Sequence, residues 1–435
     1  MSETTVGLLS LVILVLLFLS GIELAFGMAL LGFLGYAYLV SFKAACNVLV
    51  QDFLDTFTSY GFTVIPLFVL MGQIASNTNI AKRLYDAAQR FIGHVPGGLA
   101  MTTVVGATLF KAISGSTLAT AATFSGIAIP EMDRYGYSRR LSSGVVASVG
   151  TLGVLIPPSI VLIIYGFVVE QSIGRLFLAG FVPGLLIAGL FLLVAYGWAR
   201  LKPEDAPVAP RASWSERLKV LPEFLGVAVI YVVVIFGLMR GIFSPTEAGT
   251  IGTLGVFILA LLYKEVNLGK MLKAFDESIR TSCMVILLIA GSSVYGHFLA
   301  ITEIPLRISD WVASLEIPRA AVMVLVMFIY LLGGSFMDDL AFMILATPIF
   351  YPVVIKLGYD PIWFGIMICV TLMVGVIIPP VAVCVFVVRN ITGIPFGEIY
   401  KGVLPFLISL FLAALLLFLF PGLATILPNA LMGPS

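Results

Sequence analysis

The chain has 435 residues, of which 60% are hydrophobic and 11% are charged, and its formal net charge is +1. Because soluble proteins carry about 25% charged residues, this composition excludes an ordinary soluble domain and indicates a multi-pass α-helical membrane protein. The near-neutral charge and the absence of a basic cluster in the sequence give no support for nucleic-acid binding, so the lipid bilayer is the expected surrounding.

The first part of the chain contains three predicted membrane segments. Apolar runs at residues 6–20 and 22–40 flank Gly21 and predict two short crossings or one long kinked helix, of which we favour two crossings. Residues 53–77 form the next predicted span. Residues 80–92 mix four charged residues with apolar ones, a pattern typical of an amphipathic helix at the membrane interface.

The following stretch predicts a re-entrant helical hairpin and then a broken helix. Residues 97–113 and 118–132 are apolar, but each is shorter than the roughly 20 residues that a membrane-spanning helix needs. A Ser-Gly-Ser-Thr sequence joins them at residues 114–117, which is the expected tip of the hairpin. Residues 141–169 contain Pro157-Pro158, which removes two backbone donors and prevents an intact helix.

A polar linker and a second set of elements come next. Residues 200–219 are charged and interrupted by three prolines, which indicates a linker outside the membrane. The predicted elements after it are spans at 222–239, 248–263 and 276–300, amphipathic segments at 264–275 and 304–315, hairpin arms at 319–332 and 340–356, a broken helix at 361–388 with Pro379-Pro380, and a last span at 398–420. Gly-Gly-Ser separates the two arms, so we expect the second hairpin tip at residues 333–335.

The two sets of elements are copies of one another. Pro157 and Pro379 are 222 residues apart, and Gly153 and Gly375 keep the same separation. Glycines farther upstream keep a separation of 219 residues. Prolines and glycines at a constant separation indicate an internal duplication. The predicted domains are N-terminal scaffold segments (1–52), repeat one (53–199), a cytoplasmic linker with scaffold helices (200–275) and repeat two (276–435).

The distribution of basic residues predicts how the chain crosses the membrane. Residues 200–219 contain five Lys or Arg residues and residues 264–280 contain four, which places both segments in the cytoplasm by the positive-inside rule. Counting crossings from there puts 17 of the 24 basic residues on the cytoplasmic side. Five predicted crossings separate the starts of the two repeats. The second repeat is therefore inverted, and the first hairpin opens to the cytoplasm while the second opens to the opposite side.

Two hairpin tips and two helix breaks are expected to meet near the middle of the membrane. Hydroxyl groups of the tips and carbonyl groups freed at the breaks are neutral oxygens that suit a dehydrated Na⁺ ion. Helix N-termini after each tip and each break suit an anion. A charge inside a membrane needs a partner, so we expect Lys111 near the anion and Asp338 near the cation, or both as structural supports of the hairpins.

The tip sequences, the two Pro-Pro breaks and residues 241–249 resemble the large membrane subunit (M subunit) of tripartite ATP-independent periplasmic (TRAP) transporters. The resemblance covers nearly the whole chain. It implies an all-α inverted-repeat protein of the bacterial inner membrane that imports an organic anion by symport with Na⁺ and an elevator-like motion. It also implies two partners, a small membrane subunit of the Q type and a periplasmic substrate-binding protein of the P type.

By position, the resemblance implies two Na⁺ sites and a substrate region. The first Na⁺ site is implied at Ser114, Thr117, Gly153, Ile156 and Pro158. The second Na⁺ site is implied at Gly334, Asp338, Gly375, Ile378 and Pro380. The residues implied near the substrate are Lys111, Ser116, Ser335 and Asp339. Lys111 and the Asp338-Asp339 pair depart from the family pattern.

The sequence leaves the substrate open among C4-dicarboxylates, sialic or sugar acids and sulfonates. A stand-alone Na⁺/carboxylate symporter of the same superfamily is an alternative that would need no binding protein. A channel or Na⁺/H⁺ antiporter would need paired carboxylates inside the membrane, for which Asp338-Asp339 is the candidate. An enzyme or a cofactor other than Na⁺ is not expected, because the sequence contains no nucleophile–base constellation, phosphate-binding loop or metal-spaced cluster.

Overall fold

The computed structural model describes residues 2–314 and 317–433, and this part of the chain contains only helices and their connections. Its α-helices are α1 (Glu3–Leu19), α2 (Leu24–Leu39), α3 (Phe42–Thr58), α4 (Val64–Asn77), α5 (Ile80–Ile92), α6 (Gly98–Ser114), α7 (Thr117–Arg134), α8 (Arg139–Thr151), α9 (Ile160–Val168), α10 (Ile173–Leu201), α11 (Trp214–Lys219), α12 (Leu221–Met239), α13 (Pro245–Leu262), α14 (Leu268–Ile301), α15 (Ile304–Ser314), α16 (Arg319–Phe336), α17 (Asp339–Lys356), α18 (Pro361–Gly375), α19 (Val383–Thr392), α20 (Phe396–Leu419) and α21 (Gly422–Met432). Eight helical stretches among the described residues are long and apolar enough to cross a membrane, which confirms the predicted all-α multi-pass fold.

The N-terminal residues form two helices rather than one kinked helix. Helix α1 ends at Leu19, α2 begins at Leu24, and the two helices pack against each other. Gly21 lies in the turn between them with φ of +88°, a left-handed conformation that glycine adopts without steric strain. The prediction of two separate segments is therefore confirmed.

The predicted span at residues 53–77 begins later than expected. Helix α3 extends from Phe42 to Thr58 and covers the first residues of the prediction. A 3-10 turn at Tyr60–Thr63 continues directly into α4, and together they form a helical stretch that is long and apolar enough to cross a membrane. The interruption falls at Ser59, where the backbone is extended, and Pro66 lies in the first turn of α4, where its missing N–H costs little.

The amphipathic segment predicted at 264–275 and the span predicted at 276–300 are not separate elements. From Leu268 onward both belong to one helix, α14, which has 34 residues. The Asn267 side chain caps its start by accepting a hydrogen bond from the Gly269 N–H at 2.8 Å. No proline interrupts the helix, so its charged first part continues without a break into an apolar second part. The last of its charged residues is Arg280, whose side chain is exposed.

Two equivalent helix pairs build the scaffold. Helix α2 packs along α14, and α13 packs along α4. A Cβ on Gly32 of α2 would lie 2.8 Å from backbone atoms of Tyr295 in α14. Likewise, a Cβ on Gly252 of α13 would lie 2.6 Å from the Met71 sulfur in α4. Small residues thus allow both pairs to approach closely, as is common between membrane helices. The packing supports the duplication, while the exact domain boundaries stay a prediction.

The linker at residues 200–219 folds back onto the interfacial helix α5. Arg90 of α5 lies 3.4 Å from the Glu216 carboxylate, and the Asp205 carbonyl accepts a hydrogen bond from the Ser138 N–H at 2.9 Å. Hydrogen bonds from the backbone N–H and the hydroxyl of Ser213 lower the pKa of Glu216 and close a capping box at the start of α11. The linker is therefore an ordered surface on the side that the charge pattern assigns to the cytoplasm.

A cysteine at Ser215 is expected to react only from the cytoplasmic side. Ser215 is exposed on α11. In a variant whose Cys46 and Cys283 are replaced by serine, Ser215→Cys should react with a membrane-impermeant maleimide in inside-out vesicles and not in spheroplasts. The remaining Cys369 and Cys384 are buried and add little background. Labelling in spheroplasts would show that the predicted topology is inverted.

Candidate functional site

The first hairpin tip lies where the sequence predicts it, at residues 114–117. Helix α6 ends at Ser114 and α7 begins at Thr117, so Gly115 and Ser116 form the turn. The Ser116 hydroxyl caps α7 by accepting a backbone hydrogen bond at 3.2 Å. Gly115 has φ of +60°, and a Cβ there would lie 2.8 Å from the Pro158 carbonyl oxygen. The first tip therefore contacts the first helix break through a position that only glycine fits well.

The first helix break is also confirmed. Helices α8 and α9 are interrupted around Pro157-Pro158. The Ser159 hydroxyl donates to the Val154 carbonyl at 2.5 Å and satisfies one of the carbonyls that the break frees. Ile156 anchors the break to α10, since a Cβ on Gly184 of that helix would lie 2.8 Å from the Ile156 Cγ1. The interruption is thus held on one side by a hydrogen bond and on the other by close packing.

The second tip is displaced from the predicted residues 333–335. Helix α16 continues through them and ends at Phe336, so the turn falls at Met337 and Asp338. The Asp338 carboxylate caps α17 by accepting hydrogen bonds from two backbone N–H groups, at 3.1 Å and 3.4 Å. An acidic N-cap before an apolar run is a stronger helix-start signal than a Gly-Gly pair is a turn signal. The acidic N-cap at Asp338 was present in the sequence and would have predicted the position of the turn correctly.

The second helix break contacts the second hairpin through backbone atoms. Helices α18 and α19 are interrupted around Pro379-Pro380, and α19 continues to residue 392 instead of the predicted 388. A Cβ on Gly375 would lie 2.8 Å from the carbonyl carbon of Gly334. The Val381 N–H donates to the Ser335 carbonyl at 3.2 Å. Two residues of the second predicted Na⁺ site, Gly334 and Gly375, are therefore adjacent.

Both tips and both breaks line one cavity of about 110 Å³. The predicted site residues in its wall are Ser116, Thr117, Gly153, Asp338 and Asp339. Thr281 and Met284 of the scaffold helix α14 complete the wall. The sequence gives no local signal for these two residues, because a threonine and a methionine inside a long helix are ordinary packing residues.

The other predicted site residues lie outside the cavity wall. Ser335 is buried within α16, where its hydroxyl donates to the Leu331 carbonyl at 2.7 Å. Lys111 is fully buried in the last turn of α6, and its Nζ donates to the Ser116 carbonyl. The remaining residues belong to the tips and breaks without lining the cavity, namely Ser114, Ile156, Pro158, Gly334, Gly375, Ile378 and Pro380. Their roles in binding stay predictions.

Four helices begin at this cavity. The first residues of α7, α9, α17 and α19 all line it, namely Thr117, Ile160, Asp339 and Val383. Helix N-termini carry partial positive charge and free N–H groups, so they can hold an anionic group. The carboxylates of Asp338 and Asp339 lie in the same wall and attract a cation. The cavity is therefore suited to hold an anion and a cation close together.

Residues 11–423 match the protein family described as "Tripartite ATP-independent periplasmic transporter, DctM component". The chain belongs to this family. This DctM component is 36% identical over 376 residues to the C4-dicarboxylate TRAP transporter large permease protein DctM of Pseudomonas aeruginosa, with 86% of this chain and 88% of that protein covered. It is 31% identical over 403 residues to the sialic acid TRAP transporter large permease protein SiaM of Vibrio cholerae, with 92% and 94% covered.

A solved structure shows the same fold in a different transporter. The crystal structure of the Alcanivorax borkumensis YdaH transporter has a TM-score of 0.64 with this DctM component, at 14% sequence identity, and covers 88% of this chain and 89% of that chain. At this identity the likeness shows the fold alone. Together with the family match, the apolar helices make this DctM component a multi-pass transport protein of the bacterial inner membrane and not an enzyme.

Proposed function

We propose that this DctM component imports a small organic acid by symport with Na⁺. The observation that carries the proposal is the meeting of two hairpin tips and two helix breaks at one cavity. Broken helices at a common point are the arrangement by which many secondary transporters hold a substrate and its coupling ion. The sequence has no Gly-rich phosphate-binding loop followed by Lys, so an ion gradient would supply the driving force.

The proposed second Na⁺ site has suitable donor groups. The backbones of Gly334 and Gly375 are in contact, and the Asp338 carboxylate lies in the adjoining turn. Helix α18 ends at Gly375, whose carbonyl accepts the Ile378 N–H at 3.3 Å and keeps a second lone pair for an ion. A carboxylate combined with backbone carbonyls is a donor set that suits a dehydrated monovalent cation. We therefore assign the coupling Na⁺ to this region, together with Ile378 and Pro380.

The proposed substrate is a small organic acid bound at the helix N-termini of the cavity. The hydroxyl-bearing residues Ser116, Thr117 and Thr281 add hydrogen-bonding partners for a carboxylate. Relatives named for a C4-dicarboxylate and for sialic acid support this substrate class, since both compounds are acids. The two carboxylates of Asp338 and Asp339 would repel an anion unless a cation is present, which is a physical reason for coupling the two.

The proposal includes two partner proteins and a movement of the hairpins and broken helices relative to the scaffold. The family description names a three-part periplasmic transporter, so the substrate would arrive from a periplasmic binding protein, and a small membrane subunit would accompany this chain. The cavity lies between the tips and breaks on one side and α14 on the other. Displacement of the hairpins and broken helices along the scaffold would carry the bound substrate across the membrane, as in an elevator mechanism.

Uptake into proteoliposomes tests the proposal. Vesicles that contain this chain and its small membrane subunit are supplied with radiolabelled succinate or sialic acid, with or without the periplasmic binding protein that docks onto them. We expect uptake that requires both the binding protein and an inward Na⁺ gradient and that stops when K⁺ replaces Na⁺. Uptake without the binding protein would support a stand-alone symporter instead, and exchange driven by a pH gradient would support an antiporter.

A further inference from the structure

The side chain of Lys111 fills the space between the first tip and the first break. Lys111 is fully buried, and its Nζ donates a hydrogen bond to the Ser116 carbonyl. A Cβ added at Gly153 would overlap this Nζ and would lie 3.0 Å from the backbone nitrogen of Thr117. The ammonium group therefore lies among Ser116, Thr117 and Gly153, in the middle of the first predicted Na⁺ site.

The surroundings of this ammonium group are those of a cation site. Helix α6 ends at Ser114, three residues after Lys111, and Gly153 lies just beyond the C-terminal end of α8. Helix C-termini carry partial negative charge and carbonyls without helical partners. Lys111 lies in the last turn of α6, its Nζ donates to the Ser116 carbonyl, and Gly153 adjoins that Nζ. The Nζ therefore lies in a buried place with a carbonyl partner and the C-terminal ends of two helices nearby, groups that also suit a metal cation.

The second repeat has no such side chain at the equivalent position. The structure relates the two tips by 222 residues, because α6 ends at Ser114 and α16 at Phe336, so Lys111 corresponds to Gly333. Gly333 has no side chain, and a Cβ there would overlap the Phe342 ring of the neighbouring arm. The second half-site instead has the Asp338 carboxylate at its tip. The two half-sites therefore share one backbone plan but carry different side chains, a lysine in the first and an aspartate in the second.

We propose that the Lys111 ammonium group takes the place of one Na⁺, so that this transporter binds a single coupling Na⁺, at the second site. The inference rests on the proposed Na⁺ coupling and deepens it. A Na⁺ ion does not fit the first site, because the ammonium group fills the space between Ser116 and Gly153 and already occupies the Ser116 carbonyl. The tethered cation holds the first tip against the first break in every state, whether or not Na⁺ is present.

Counting bound Na⁺ tests this inference. The chain is purified with its small membrane subunit, and saturable binding of radioactive sodium is measured per molecule of chain. We expect one Na⁺ in the wild type. Lys111→Ala and Lys111→Ser remove the charge and open the space, so we expect two Na⁺ in these variants. Lys111→Met is the matched control, because it has similar length without charge and leaves the space filled, and we expect one Na⁺ there.

The number of bound Na⁺ ions distinguishes a failure of this inference from a failure of the proposed function on which it rests. Two bound Na⁺ in the wild type would overturn the role of Lys111 while leaving Na⁺ coupling intact, and this count needs no variant to fold. A single Na⁺ in both Lys111→Ala and Lys111→Ser would overturn it as well. No bound Na⁺ in any of the proteins would refute the Na⁺ coupling itself.

Discussion

Gly375→Ala is expected to lower the apparent Na⁺ affinity of uptake by about ten- to hundredfold. The added Cβ would lie between 2.8 and 3.2 Å from three backbone atoms of Gly334. Backbone atoms cannot rotate away as a side chain can, so the second tip must move off the second break. Overpacking of this kind costs about 1–3 kcal/mol, and the cost falls on the state in which tip and break enclose the ion. The Na⁺ dependence of uptake in proteoliposomes measures the effect.

Gly296→Ala is the matched control for this substitution. Gly296 also lies in a membrane helix, α14, but an added Cβ there would meet no heavy atom within 4 Å. We expect wild-type uptake and wild-type Na⁺ dependence in this variant. If Gly375→Ala retains the same Na⁺ dependence as Gly296→Ala, the contact between Gly334 and Gly375 is packing without a role in ion binding.

Asp338→Asn is expected to raise the Na⁺ concentration for half-maximal uptake by at least about tenfold, because interactions with a charged group contribute about 1.5–3 kcal/mol. Asparagine caps helices about as well as aspartate, so the hydrogen bonds that Asp338 accepts at the start of α17 can persist. Asp338→Ala removes the cap as well and is expected to lower the stability of the protein by about a further 1 kcal/mol. Uptake at graded Na⁺ concentrations and thermal unfolding separate the two effects.

Asp360→Asn controls for the loss of a capping carboxylate in general. The Asp360 carboxylate accepts a hydrogen bond from the Trp363 N–H at 2.9 Å at the start of α18, away from the cavity. We expect this variant to keep the wild-type Na⁺ dependence. An equal loss in Asp338→Asn and Asp360→Asn would point to a shared structural cause, and no loss in Asp338→Asn would remove Asp338 from the Na⁺ site.

Helix breaks and turns that are determined by residues adjacent in the sequence could be predicted. Pro157-Pro158 and Pro379-Pro380 predict both helix breaks, because proline removes a donor wherever it lies. The first tip was predictable because Gly115 and Ser116 favour a turn with a capped helix after it. The second tip was misplaced because the sequence contains two turn signals there, the glycines at 333–334 and the acidic N-cap at Asp338. The helix continues through the glycines, and the turn forms at the N-cap.

Helix continuity was harder to predict, because a change in polarity does not by itself interrupt a helix. The charged and apolar parts of α14 form one helix since nothing between them breaks the hydrogen-bond ladder. In the first repeat, by contrast, the chain is interrupted at Ser59, where the backbone is extended although no proline lies at that position. Polarity thus predicted which segments lie in the membrane better than it predicted where each helix begins.

Contacts between residues that are distant in the sequence could not be predicted. The sequence places Lys111 next to the first tip but does not show where its side chain points. That direction depends on the space beside Gly153, which follows α8 and is distant from α6 in the sequence. The contribution of Thr281 to the cavity wall likewise depends on how α14 packs against the two tips. Both facts follow from tertiary packing, which local spacing does not encode.

The apolar length of helix α14 also predicts the depth of the cavity in the bilayer. Its last charged residue, Arg280, is exposed, and the residues from 281 to 301 contain no Lys, Arg, Asp or Glu. That apolar part is about 32 Å long at about 1.5 Å per residue, which matches a hydrocarbon core of about 30 Å. With the cytoplasmic side that the charge pattern predicts, Thr281 and Met284 are expected within about one helical turn of that boundary. We therefore expect the cavity nearer to the cytoplasmic boundary than to the middle of the membrane, on the side where an imported substrate would be released.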